Sequence, residues 1–156
     1  MTTGETLAAM KIGDVMTTHV MAVMAGDSIQ DAVKIMQDHE LTTVPVVNTG
    51  DQCIGILSRS DLTEMFLEED GALSQLLDTD RLSMAWFDRN VETASARLVN
   101  EVMTHNVTLV NATQTLQDAC KAMVSGSFHH LPVVNDDERV VGFISTFDIV
   151  RAIASA

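Results

Sequence analysis

Three rhythms of apolar positions run along the chain. Ile29, Ala32, Val33 and Met36 recur at i, i+3, i+4 and i+7, the stripe of a helix that buries one face. Ser28 stands just ahead of it with Asp31 three residues on, the pairing of a capping box. Thr115 and Asp118, with Leu116, Ala119, Cys120 and Met123, repeat that arrangement. The second rhythm is the short continuous run. Val20–Val23 reads as a strand followed by a Gly26-Asp27 turn, and Val44–Val47 as a strand buried on both faces. Pro45 and Pro132 suit a strand start, where no ladder donor is needed. Polar turns at 48–51 and 135–138 lead into further strands, Cys53–Leu57 and Val140–Ile144. The third rhythm is helical again. Ser58/Asp61 and Ser145/Asp148 open helices whose apolar faces are Leu62, Met65, Phe66 and Ile149, Ala152, Ile153.

All of these elements occur twice at one constant spacing. Pro45 and Pro132 are 87 residues apart, and so are Asp61 and Asp148. The register holds upstream without a gap: Val15-Met16-Thr17 matches Val102-Met103-Thr104, and Gln30-Asp31-Ala32 matches Gln117-Asp118-Ala119. Such a repeat predicts a tandem duplication, each copy β-α-β-β-α. So short a unit buries too little surface alone, so the two copies are expected to pack by their sheets as a pseudo-twofold pair in the mixed α/β (α+β) class. The expected organisation is an N-terminal tail or frayed helix over 1–10, a first repeat over 11–66, an acidic helical connector over 67–98 and a second repeat over 99–156. In the connector, Leu73, Leu76 and Leu77 suggest one helix, and 93–101 suggests another running into the second copy. Trp86 and Phe87 are expected to be packed.

Charge narrows the partners. Nine Lys and Arg against 22 Asp and Glu give a formal net charge of -13 over 156 residues. That opposes nucleic acid and anionic membrane surfaces. A small anionic ligand would need local positive charge or backbone amides. No apolar run approaches the roughly 20 residues of a membrane helix. The opening Met1-Thr2-Thr3-Gly4-Glu5-Thr6 lacks the basic start and apolar core of a signal or transit peptide, so a soluble cytoplasmic protein is expected. Cys53 and Cys120 align with Val140 and Val33, which predicts buried thiols rather than a disulfide or metal site. No nucleophile elbow, P-loop, dinucleotide fingerprint or His-Glu-x-x-His occurs, and catalysis is not expected.

The candidate chemistry lies where a strand turns into a helix. Ser58/Asp61 and Ser145/Asp148 sit at helix N-termini, which offer N–H groups and a positive dipole end to an anion. A carboxylate there can accept both hydroxyls of a ribose. The same spacing serves as a capping box, as at Ser28/Asp31 and Thr115/Asp118, and spacing alone does not separate the two roles. The copies differ. Arg59 follows Ser58 where Thr146 holds the matching place, and Ser60 aligns with Phe147. At about 4 Å and an effective dielectric of roughly 20, a guanidinium–phosphate pair is worth roughly 4 kcal/mol before desolvation, which points a phosphate to the first motif. His129-His130 precedes Leu131 and either meets a phosphate, stacks on a base or forms a hydrogen-bonded structural pair. Neighbouring strand residues face opposite ways, which argues against a two-His metal site.

Val-Met-Thr at the start, Pro-Val-Val-Asn in the middle and Gly-x-x-x-Ser-x-x-Asp at the end, all twice in register, resemble tandem CBS domains, the cystathionine-β-synthase-type regulatory (Bateman) module. The resemblance covers roughly 11–66 and 99–156. It implies two clefts between the repeats, a flat homodimer and an adenosine-containing ligand: AMP, ADP or ATP, with S-adenosylmethionine or NAD as further options. It implies that Asp61 and Asp148 hold the ribose and that Ser58 and Ser145 bond ribose or phosphate. Backbone near Val20, Val44, Val107 and Leu131 would edge the adenine, with Thr17 and Thr104 close to the cleft. Arg59, Ser60, Thr146 and His130 complete the candidate set. No metal and no obligatory cofactor is implied. The implied role is a stand-alone regulatory module that senses an adenine nucleotide and signals to a separate effector protein. The alternative is a ligand-free dimeric scaffold acting through its acidic surface or Trp86-Phe87.

Overall fold

The structure, a computed structural model, describes residues 2–69 and 96–156. The connector helix expected near Leu73, and Trp86-Phe87, lie outside the described residues. In chain order the elements are α1 (Thr3–Ala9), α2 (Ile12–Val15), β1 (Val23–Met24), α3 (Ile29–Asp38), β2 (Thr43–Val47), β3 (Cys53–Ser58), α4 (Arg59–Glu69), α5 (Val99–Val102), β4 (Val110–Asn111), α6 (Leu116–Gly126), β5 (His130–Val134), β6 (Val140–Ser145) and α7 (Thr146–Ala154). The strands make two three-stranded sheets, ordered β1-β2-β3 and β4-β5-β6. β4 runs parallel to β5, with Val110 beside Val133. β5 runs antiparallel to β6, with Leu131 opposite Ile144 and Pro132 opposite Phe143. The class is mixed α and β, as the alternation of periods predicts.

Local chemistry accounts for most boundaries. Ser28 Oγ accepts from the Asp31 amide at 3.1 Å, and Ile29, Ala32, Val33 and Met36 are all buried on α3. Thr115 and Asp118 close a full reciprocal box at the start of α6. β2 and β5 each bury four residues in succession, as the continuous runs require. In both hairpin turns an asparagine organises the backbone. Asn48 Oδ1 accepts from the Gly50 and Gln52 amides, and Asn135 Oδ1 from those of Asp137 and Arg139. The duplication extends to backbone conformation. The positive-φ residues are Glu40 (53°) and Ser127 (54°), which follow α3 and α6, and Asp51 (61°) and Glu138 (61°) in the turns. Each pair is 87 residues apart, and each left-handed residue costs roughly 1–2 kcal/mol.

Contacts divide the chain into two compact units that do not follow the copies as they run in sequence. Unit 1 comprises Met1–Val20, Val47–Ile54 and Asn106–Ala156, and unit 2 comprises Met21–Val46 and Gly55–His105. Each unit thus takes the opening segment of the other copy. In unit 1, Ile12 is fully buried in a core with Val110, Leu116, Leu131, Val133, Ile144 and Ile149. Its amide donates to Gln114 O, and that of Gly13 to Ala112 O, both at 2.9 Å. In unit 2 the counterpart Val99 is equally buried. Its amide donates to Asp27 O at 2.9 Å, and that of Asn100 to Ala25 O at 3.0 Å. Fully burying such a side chain contributes about 1.5–3 kcal/mol.

The exchange explains where the elements depart from expectation. The 20–23 run contributes only Val23 to β1, the Val20 amide donating to Thr18 O at 3.1 Å, while Thr17 spends its backbone groups on the outer edge of β6. Phe143 therefore points its own N–H and C=O at Thr17, which leaves Pro132 in a non-hydrogen-bonded pair. This is why a proline fits at the third position of the strand rather than its start. Of the stretch 93–101 expected to be helical, residues 93–95 lie outside the described residues, and a helix starts at Val99, since Leu98 is extended and bridges Ser28. Residues 3–9 form a helix held by a Thr2–Glu5 box, more ordered than a tail. The Thr2 amide foremost, and then the Thr2 hydroxyl, donate to the Glu5 carboxyl and hold it below its usual range. Ile153, placed on a core face by the sequence pattern, is 56% exposed. Cys53 is buried and Cys120 half-buried, and neither is in a disulfide.

Candidate functional site

Each unit carries one Ser-x-x-Asp corner, built the same way. β6 ends at Ser145 and α7 begins at the next residue. Asp148 turns one oxygen back on the strand end: Oδ2 accepts from the Ser145 amide and hydroxyl, both at 2.8 Å. The Asp148 amide donates to Ser145 Oγ at 3.1 Å. At the end of β3, Asp61 Oδ2 accepts from the Ser58 amide and hydroxyl at 2.7 Å, and Ser58 Oγ receives the Asp61 amide at 3.2 Å. Capping is therefore realised at both corners, and any ligand must use what the cap leaves.

What it leaves is the second oxygen, and there the copies part. Asp61 Oδ1 accepts from the Thr104 hydroxyl at 2.9 Å. Asp148 Oδ1 accepts from Arg151 Nη2 at 2.6 Å. A carboxylate oxygen has two lone-pair sites, so each Oδ1 keeps one acceptor position.

The threonines of both opening segments are held against strand edges. Thr104 and Ile56 exchange N–H···O bonds of 2.9 and 3.0 Å, and Thr17 and Phe143 exchange two of 2.9 Å. Glycine permits this approach. A Cβ on Gly55 would lie 2.7 Å from Thr104 O and 2.8 Å from Met103 Sδ, and one on Gly142 would lie 2.4 Å from Met16 Sδ and 3.0 Å from Thr17 O. Unit 1 so holds His130 and Leu131 on β5, Ser145 at the end of β6, Thr146 and Asp148 at the start of α7 and Thr17 bridged to β6, while unit 2 holds Val44, Ser58, Arg59, Ser60, Asp61 and Thr104. Val44 and Leu131 have core side chains, at 0% and 1% exposure, so only their backbone could meet a ligand. Val20 and Val107 sit in half-buried loops of unit 1.

His130 pairs with Ser145 across the sheet and stacks on Phe143, with centroids 5.6 Å apart and planes 20° from parallel. Burial, and secondarily His129, hold its imidazole below its usual pKa, against the pull of Asp148.

The surroundings carry unequal charge. A cavity of about 670 Å³ lies against Asp148 and Arg151, walled by α1, α2 and α7, with Asp14 its other charged residue. Among the described residues, a pocket of about 120 Å³ beside Asp61 is lined by Glu64, Glu68, Glu101 and Arg97. Arg59, to which the sequence pointed a phosphate, does not line it. Arg151 was not singled out from the sequence. Its signal was available: it lies three residues after Asp148 on one helix face, where the first copy has Glu64. Among the described residues, no group of three or more His, Cys, Asp or Glu could hold a metal ion, and no helix is long and apolar enough to cross a membrane.

Two three-stranded sheets, each running into a capped Ser-x-x-Asp helix and completed by the other copy's opening segment, define a tandem-repeat α/β protein with one candidate ligand corner per unit. The CBS domain pattern matches residues 12–68 and 99–155, and the chain belongs to that family. It is 25% identical over 154 residues to uncharacterized protein MJ1426 of Methanocaldococcus jannaschii, across 92% of this chain and 91% of that one. It spans only 24% of the length of the homoserine O-acetyltransferase of Methanohalobium evestigatum that it also matches. Among solved structures, CBSX2 in complex with AMP gives a TM-score of 0.72 at 23% identity, over 94% of this chain and 98% of the other. The CBS domain pair of MJ0100 with 5-methylthioadenosine and S-adenosyl-L-methionine gives 0.73 at 20% identity, again over 94% and 98%. These likenesses show the fold.

Proposed function

We propose that the chain is a regulatory CBS pair that senses an adenosine-containing ligand of the AMP, ADP or ATP class and signals to a separate effector protein, without catalysis of its own. One observation carries this. In each unit a Ser-x-x-Asp helix start stands beside a threonine segment supplied by the other copy, so a ligand there touches both copies at once. Such a ligand shifts the equilibrium between two arrangements only by its difference in affinity for them. The AMP complex of the similar CBSX2 supports the ligand class, and the MJ0100 complex keeps S-adenosylmethionine in the test set.

A thermal-shift panel of AMP, ADP, ATP, S-adenosylmethionine and NAD tests this. At 100 times its dissociation constant, a ligand adds about 2.7 kcal/mol, or roughly 5–10 °C for a chain of this size. Asp148→Ala and Asp61→Ala should each abolish a shift arising at its own corner. A panel with no shift at all defeats the sensor role.

Homodimerisation belongs to the same proposal. Phe147, Val150 and Ile153 recur on the outer face of α7 at 69%, 58% and 56% exposure. Sedimentation of wild type against Val150→Glu tests it, with the variant expected as monomer. The alternative, a ligand-free dimeric scaffold acting through its acidic surface or Trp86-Phe87, predicts no nucleotide shift and loss of its partner on changing Trp86.

A further inference from the structure

We propose that Arg151 makes the second copy's corner the phosphate-accepting one, and that the first copy's corner rejects phosphate. This rests on the nucleotide-sensing role above and adds which corner takes the anion and why. Arg151 donates to Asp148 Oδ1 through Nη2 alone among the contacts described. A guanidinium has five N–H donors, and this side chain is 59% exposed, so further donors remain accessible from solvent. The Phe147 ring, 6.0 Å from the guanidinium carbon, supports its position. Arg151 thus neutralises the carboxylate that would hold a sugar and still presents donors to a phosphate attached to that sugar.

The first copy reverses the charge at the matching helix position. Glu64 stands where the second copy has Arg151, and among the described residues Asp61, Glu64, Glu68 and Glu101 line a pocket together with Arg97. The cavity at Asp148, about 670 Å³, falls within the usual range of roughly 300–1,000 Å³ for small-molecule sites. Asp61 Oδ1 is also held by Thr104. A dianionic phosphate entering there meets a surplus of carboxylates at short range, where screening is weak. An uncharged nucleoside does not meet that barrier, so the discrimination at issue is between AMP and adenosine.

Isothermal titration of the full chain with AMP and with adenosine tests the proposal in wild type, Arg151→Gln and Arg151→Lys. The expected result is one AMP per chain. Arg151→Gln should weaken AMP about tenfold, the scale of one charged hydrogen bond, and adenosine less than about twofold. Arg151→Lys should keep most of the preference for AMP, and it keeps the test valid should the glutamine variant melt early. Two equal AMP sites per chain, AMP binding indifferent to Arg151→Gln, or equal losses for AMP and adenosine would each overturn the proposal while leaving the sensor role standing. If wild type binds neither compound, this assignment fails, and the thermal-shift panel decides the sensor role separately.

Discussion

Helices α4 and α7 are the same element written twice, and they live in different surroundings. Leu62, Met65 and Phe66 are all buried on α4, at 3%, 3% and 5% exposure. On α7 the matching Ile149 is buried at 9%, but Ile153, the counterpart of Phe66, is 56% exposed. The capped aspartates differ in parallel: Asp61 is closed by a hydroxyl among carboxylates, Asp148 by a guanidinium beside an open cavity. A duplication preserves backbone grammar because caps and turns are local. It leaves burial and charge free to diverge, because those are set by whatever packs against each copy.

The largest effect that can break this comparison is at the paired helix position. Phe66→Ala should cost about 3–5 kcal/mol in urea unfolding, and Ile153→Ala no more than about 0.5 kcal/mol. A penalty at Ile153 that grows with protein concentration would show that a second copy covers that face.

The strand glycines come next. An added methyl at Gly55 strikes the Thr104 carbonyl, which is backbone, whereas at Gly142 the nearest atom is the sulfur of flexible Met16. Gly55→Ala should therefore destabilise by about 2–3 kcal/mol and Gly142→Ala by about 1–2 kcal/mol. Equal penalties would mean that the two crossings are equally rigid.

Smaller gains are expected where φ is positive. Ser127→Gly and Glu40→Gly should each stabilise by about 0.5–1 kcal/mol, since both helices end in the same left-handed conformation.

The smallest effect is a pH response confined to the second copy. His130 has Thr43 as its counterpart. Burial lowers its folded-state pKa, so the neutral form is favoured in the folded protein. Its contribution is whole above the ordinary value of about 6.5 and is lost as pH falls through the lowered folded-state value. Stability measured from about pH 8 to about pH 5 should fall more steeply for wild type than for His130→Thr.

The repeat, its strands, helices and caps were legible because their signals are local periods and side-chain pairings. Asn48 and Asn135, Ser28 and Thr115 do in three dimensions what their spacing indicates. The exchange of opening segments was not legible, since the apolar pattern of Ile12 reads the same whichever core receives it. The strand expected at Val20 is shorter, the Val20 amide turning to Thr18 O two residues back. At the candidate corner, spacing identified Ser58, Asp61, Ser145 and Asp148 and left capping and ligand contact undivided. Coordinates add that the cap engages one oxygen of each carboxylate. Arg151 escaped notice because Arg59 drew the charge argument. Arg151 lies on the turn above Asp148, where i and i+3 side chains meet.

Lys11 bridges Thr115 and Thr17 bridges Phe143, so closing unit 1 joins chain stations more than a hundred positions apart. Folding of such an entwined topology is governed by loop closure and should be slow relative to its helical content. A chain severed between Glu69 and Ala96 should yield fragments that each lack a wall of their core and regain cooperative melting only when mixed. The same interlacing lets one molecule lend its leading residues to another, a ready route to swapped oligomers.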